Sequence, residues 1–197
     1  MKKRIFLFTL LIMTMIPLAA RAIDQPTIDR MTFLLMQFEW NQWGKGVFDD
    51  ATLYDGLHAA YAQAVNNGDD PLLRQAVWAM GESGLAFFAP TIIGTLETEP
   101  LVSCYALGKL PSETGVDALI GMLNNKDDQV RDAAAWGLGN IPYNKSMSQA
   151  KQNAVSALNS RLQKESKGWI RTTLQSAVDM IQTGIATSAA FEKSQDR

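Results

Sequence analysis

The sequence predicts an all-α fold, an α-α superhelix of about four helical-hairpin repeats preceded by a capping helix. Three observations carry this. First, the polar turn Asn66-Asn67-Gly68-Asp69-Asp70 recurs 58 residues later as Asn124-Asn125-Lys126-Asp127-Asp128. The match continues without a gap, Ala76-Val77-Trp78-Ala79-Met80-Gly81 lying over Ala134-Ala135-Trp136-Gly137-Leu138-Gly139. Second, Tyr105-Ala106-Leu107-Gly108-Lys109-Leu110-Pro111 lies over Trp136-Gly137-Leu138-Gly139-Asn140-Ile141-Pro142, so that Gly81, Gly108 and Gly139 are 27 and 31 residues apart. Third, apolar residues within each period recur at spacings of three and four, the mark of one helical stripe. Alanine is abundant, and the alternating apolar runs of strands are lacking.

Composition narrows the class. A chain of 197 residues, 47% hydrophobic and 19% charged, is neither disordered nor collagen-like nor a disulfide-stapled miniature. One Cys and one His exclude a protein-built zinc site and a Cys/His catalytic pair, and no cofactor is implied.

The elements follow in chain order. Residues 1–22 read as a secretory leader. Lys2, Lys3 and Arg4 form a basic start, Ile5 to Ala20 carries no charge, and Ala20-Arg21-Ala22 places small residues where a signal peptidase reads. Cleavage is expected after Ala22, which makes the product periplasmic or secreted. The 16-residue apolar run falls short of the ~20 residues a spanning helix needs, so no stable membrane span is expected after cleavage. The leader takes four positive charges with it, leaving 14 Lys+Arg against 20 Asp+Glu, a net charge of −6. An acidic chain without a basic stripe excludes nucleic acid as a partner.

Residues 23–48 form the capping helix, with Ile28, Met31, Leu35 and Phe38 suitably spaced. Nearby, Phe38, Trp40, Trp43 and Phe48 read as a packed cap or as a second aromatic surface. Residues 49–183 are the repeat domain, in units of about 50–81, 85–109, 112–140 and 146–182. In the third unit, Gly115 to Asn124 is the first helix, with Val116, Leu119, Ile120 and Leu123 on one stripe. Asp127 or Asp128 caps the second, from about Gln129 to Asn140, and Pro142 stops it. Glycines in the repeats fall at helix ends, where backbone closure needs them. Residues 184–197 lose the pattern and trail as a polar tail.

Leu119-Ile120-Gly121-Met122-Leu123, then Asp127-Asp128-Gln129-Val130-Arg131, then Ala134-Ala135 and Leu138-Gly139-Asn140-Ile141 resemble a HEAT-like repeat. They look most like the short bacterial form also found in phycobilisome-lyase-like proteins. The Val-Arg pair survives as Val130-Arg131 and Ile170-Arg171, becomes Leu72-Leu73-Arg74 in the first copy, and is replaced by Glu99-Pro100 in the second, whose unit is expected to be distorted. The resemblance implies that the second helix of each hairpin lines a concave surface.

Helical geometry then selects the outward residues. Taking Val130 as zero at about 100° per residue, Ala134, Leu138 and Ile141 fall at roughly 40°, 80° and 20° and define the buried face. Asp132, Trp136 and Asn140 fall opposite. The same register gives Arg74, Trp78 and Glu82 in the first unit, Leu101, Tyr105 and Lys109 in the second, and Thr172, Ser176 and Met180 in the fourth. Three successive helices therefore place a large aromatic at one outward position: Trp78, Tyr105 and Trp136. At an interhelical spacing of about 10 Å these rings form either a clamp for an extended ligand or a ladder that packs on itself.

Other chemistry is weak. His58 reads as a satisfied side chain, and Cys104, within the apolar run Leu101 to Leu107, as a small buried hydrophobe rather than a reactive thiol. Asp49-Asp50, Asp69-Asp70 and Asp127-Asp128 read as caps, since calcium-loop spacing is missing. Phosphate loops and nucleophile elbows are absent, and nothing in the sequence brings Glu82 and Asp132 together as an acid–base pair. The expectation is a non-enzymatic protein-binding scaffold of the cell envelope, its sites Arg74, Trp78, Glu82, Leu101, Tyr105, Lys109, Asp132, Trp136 and Asn140. A carbohydrate-binding module is the alternative, and a bilin-lyase-like enzyme rests on fold analogy alone.

Overall fold

The computed structural model describes residues 50–184, with side chains from Tyr54 onward. The expected leader (1–22), capping helix (23–48) with its aromatic cluster, and polar tail beyond Gly184 lie outside the described residues.

Among the described residues, eight α-helices form four hairpins and no strand occurs. They are α1 (Asp50–Asn67) with α2 (Asp70–Glu82), α3 (Ala89–Ile93) with α4 (Pro100–Leu107), α5 (Glu113–Met122) with α6 (Asp128–Asn140), and α7 (Ser148–Lys164) with α8 (Gly168–Thr183). Short 3-10 turns, Ala86–Phe88 and Lys145–Met147, lead into α3 and α7. The second helices pack in succession, α2 on α4, α4 on α6 and α6 on α8, while α3, α5 and α7 stack as the other layer. The fold is thus a solenoid of hairpins, as the periodicity predicts, and of the HEAT-like kind that the resemblance implies. The two helices of a unit pack on each other, and stacking on neighbouring units completes the burial of their apolar stripes.

Local chemistry explains the boundaries. Asp69 caps α2, its carboxylate accepting from the Leu72 N–H at 3.0 Å, and Pro71 occupies the first turn. Asp127 caps α6 by accepting from Gln129 N–H at 2.8 Å, and Ser112 caps α5 by accepting from Gly115 N–H at 3.2 Å. These side chains satisfy orphan N–H groups at helix starts. The distortion expected at Glu99-Pro100 is present: α3 and α4 have only five and eight residues. No side chain caps α4; instead Ser103 Oγ donates back to the Glu99 carbonyl at 2.7 Å. Val130, Ala134, Leu138 and Ile141 are buried, as the helical register requires.

The Val-Arg signature acquires a physical reason. Arg131 is buried and donates through Nη1 to the carbonyls of Asn125 (2.9 Å) and Lys126 (3.2 Å), satisfying the turn that precedes its own helix. Its Nε donates to Glu165 Oε2 at 2.9 Å, tying the third unit to the fourth. Glu165 also accepts from Arg161 Nη2 at 2.7 Å and from the N–H groups of Ser166 (3.0 Å) and Lys167 (3.1 Å). Hydrogen bonding from Arg131, helped by Arg161 and the Lys167 N–H, holds the Glu165 carboxyl down at about 2. Arg171 repeats the device, donating to the Leu162 and Glu165 carbonyls.

The recurrent glycines require a correction. Gly81, Gly108 and Gly139 are not closure residues; the left-handed glycines are Gly68, Gly84 and Gly184. The recurrent three sit where inner helices touch. A Cβ on Gly81 would lie 2.6 Å from Ala106 Cα, one on Gly108 2.6 Å from Gly137 Cα, and one on Gly139 2.9 Å from Ala177 Cα. Each marks a backbone-to-backbone approach onto the next unit, which no Cβ permits.

Candidate functional site

Eight of the nine expected residues lie on α2, α4 and α6, and Lys109 follows the end of α4; Arg74, Leu101 and Tyr105 are exposed and the other six half-buried. The register places Arg74, Trp78 and Glu82 one turn apart on α2, and ion pairs join them to the next unit. Arg74 Nη1 meets Glu99 Oε1 at 2.7 Å. Lys109 pairs with Glu82 and lies over the Trp78 indole, its ammonium 5.4 Å from the ring centroid. Burial lowers the Lys109 ammonium pKa from its ordinary value. A pocket of about 300 Å³ opens beside this ring, lined by Arg74, Gln75, Trp78 and Val102.

On the adjoining stretch, Leu101 and Tyr105 are 37% and 38% exposed, large apolar surfaces left in solvent on one face of α4. Tyr105 and Trp136 meet edge to face, with ring centroids 5.1 Å apart and planes at 69°. Asn140 Nδ2 donates to the Trp136 carbonyl at 2.8 Å. Asp132 Oδ1 is screened from solvent and accepts no hydrogen bond from the described residues. Burial raises the Tyr105 phenol pKa, and the nearby charge of Asp132 raises it further.

The sequence spacing of about 10 Å between rings therefore describes the helices and not the side chains. Gly108 against Gly137 lets α4 and α6 approach closely, and Tyr105 and Trp136 lean together across that seam. The ladder is a packed pair beside a ring covered by a lysine. Sequence reasoning missed Gln75, Val102 and Glu99. None lies on the outward row: Val102 and Gln75 line the crevice between α2 and α4, and Glu99 comes from the turn before α4. Only the stacking of units exposes such positions. In the fourth unit the row changes character, Thr172 and Ser176 being small and exposed while Met180 packs toward Gly139.

The remaining chemistry is accounted for within the fold. His58 Nδ1 donates to the Tyr54 carbonyl at 2.9 Å, which leaves Nε2 to accept from Thr91 Oγ1 at 2.9 Å. Its ring stacks on Phe88 and lies tilted against Tyr54. Cys104 is fully buried, and burial pushes its thiol up to about 12. Among the described residues no three His, Cys, Asp or Glu side chains converge as a metal site. No described helix is long and apolar enough to cross a membrane.

Residues 97–179 match the sequence profile of HEAT repeats. The matched stretch begins just before α4 and ends within α8, taking in the hairpin of α5 and α6, all of α7 and most of α8. The match covers less than half of the chain and agrees with the HEAT-like solenoid architecture of the described residues. No curated protein matches the chain.

Proposed function

We propose that the protein is a non-enzymatic scaffold of the cell envelope, exported by the leader at residues 1–22, that captures a protein partner on the layer formed by α2, α4 and α6. The observation that carries the reading is the pocket of Arg74, Gln75, Trp78 and Val102, together with exposed Leu101 and Tyr105 on α4, the helix that also carries Val102. Apolar anchors with an aromatic wall concentrate binding energy where water is excluded, and the ion pairs Arg74–Glu99 and Lys109–Glu82 give the surface a polar rim.

The test is capture from an envelope extract by the purified protein and two double variants, read by mass spectrometry and by thermal unfolding. Trp78→Ala with Leu101→Ala removes the anchors while sparing the packed ring pair. Trp78→Ala with Trp136→Ala also breaks the edge-to-face contact, worth about 1 kcal/mol. Loss of the same partner in both, with the first melting close to the parent, supports the reading. An unchanged bound set in the first double variant overturns it. Retention of the parent on a glycan matrix, lost in the same variant, would replace a protein partner by a carbohydrate. A mature N-terminus at Ile23 in a periplasmic or culture fraction checks the address.

A further inference from the structure

The charged residues on the binding layer form a repeated arrangement that is complete at one step and incomplete at the next. At the first step, Trp78 supplies a ring and Glu82, one turn along α2, a carboxylate. Lys109 of the following unit supplies the ammonium that pairs with Glu82 over the indole. At the second step, Tyr105 and Trp136 supply rings 5.1 Å apart and Asp132, one turn before Trp136 on α6, supplies a carboxylate. The register position of Lys109 is occupied in the next unit by Asn140, an uncharged amide whose Nδ2 donates to the Trp136 carbonyl. Two rings and a carboxylate stand together here with no cation from the described residues.

The consequence is visible at the atom. Asp132 Oδ1 is hidden from solvent, accepts no hydrogen bond, and makes no ion pair among the described residues. A carboxylate oxygen removed from water without a partner is unfavourable. A cation restores what is missing. One carboxylate and two rings do not form the shell of six or more oxygens that a hard metal ion requires, whereas they suit an organic cation, which gains from ring faces and a single anion together. Tyr105 remains 38% exposed, so a ligand reaches the step from the side of its ring.

From this we infer that the Asp132–Tyr105–Trp136 step receives a lysine or arginine side chain of an extended peptide segment, whose apolar residue fills the neighbouring Trp78–Val102 pocket. The inference rests on the concave-layer reading above and adds the chemistry of its partner. The internal Lys109–Trp78–Glu82 cluster shows the same recognition made within the chain.

The test is a selection of phage-displayed random twelve-residue peptides on the purified protein, followed by affinities of the synthetic winners. The expected winners carry Lys or Arg at a fixed distance from an apolar residue. Changing that basic residue to Gln should weaken binding about tenfold, and Asp132→Asn should weaken the basic peptide by the same factor. The two changes together should cost no more than either alone, a coupling that a general loss of folding would not produce. Asp132→Glu should restore the preference for a basic residue. Winners without a fixed basic position, or affinities that add independently, would overturn the inference while leaving the groove intact, provided binding still falls with Trp78→Ala. Failure to select any peptide, or winners indifferent to Trp78→Ala, would overturn the groove reading and this inference with it.

Discussion

Replacing Gly108 by alanine adds one methyl group at the contact between the second and third units. The new Cβ would lie 2.6 Å from Gly137 Cα and 3.0 Å from the Gly137 carbonyl oxygen. Carbon atoms rest about 3.5–4.0 Å apart, so α4 and α6 must separate by about 1 Å. Both clashing groups belong to Gly137 backbone, so no side-chain rotation relieves them. Overpacking of this kind costs about 1–3 kcal/mol. Gly108 has φ −62° and ψ −12°, a conformation alanine adopts freely, so backbone strain contributes nothing to that cost. A net loss of about 2 kcal/mol is expected, lowering Tm by about 4–8 °C. The assay is thermal and urea unfolding followed by circular dichroism, with Gly121→Ala as the internal standard. Gly121 lies within α5 with nothing inside 4 Å of its added Cβ. That substitution should stabilise by about 0.5–1 kcal/mol through helix propensity alone. If Gly108→Ala proved as stable as the parent while Gly121→Ala behaved as expected, the argument from close helix approach would be refuted.

Arg131→Ala should destabilise by about 3 kcal/mol, because it takes the buried guanidinium from Glu165, leaving it Arg161 and two N–H groups, and frees the Asn125 and Lys126 carbonyls; urea denaturation measures it. Glu165 also gives stability a pH dependence: its carboxyl is held at about 2 against an ordinary 4.5, so its contribution is present above about pH 5 and is lost as pH falls toward 2. Melting curves across that window should show a fall that is reduced in Glu165→Gln, and an equal fall in both proteins would count against the assignment. Cys104 should resist a thiol reagent at neutral pH and react fully once denaturant exposes it, since burial holds the thiol up at about 12.

Much of the architecture is legible in the chain because repeats carry their own internal evidence. The aligned turns at 66–70 and 124–128 supply real caps at Asp69 and Asp127, since an aspartate before an apolar helical run has a local partner within three residues. Glu99-Pro100 also announces its unit's distortion, proline opening α4 without a side-chain cap. The glycines were legible as positions but not in their role. Their 27- and 31-residue spacing is a sequence fact, yet what each one touches lies in the next unit.

The candidate site divides in the same way. Helical register alone places Trp78, Tyr105 and Trp136 on the outward row, because 100° per residue is a property of the backbone. Register cannot say that Tyr105 and Trp136 meet while Trp78 lies under Lys109. Nor can it say that Gln75 and Val102 line a pocket. Those outcomes depend on how closely successive inner helices pack, and on side chains reaching across the seam. The sequence by itself therefore determined the all-α hairpin repeats, their boundaries and the face each helix turns outward, since these follow from interactions within a few residues. Only the tertiary structure decided which carboxylates found cations. Glu82 met Lys109 and Glu165 met Arg131, while Asp132 met none among the described residues, because each partner comes from a turn or helix far along the chain, positioned by stacking rather than by local periodicity.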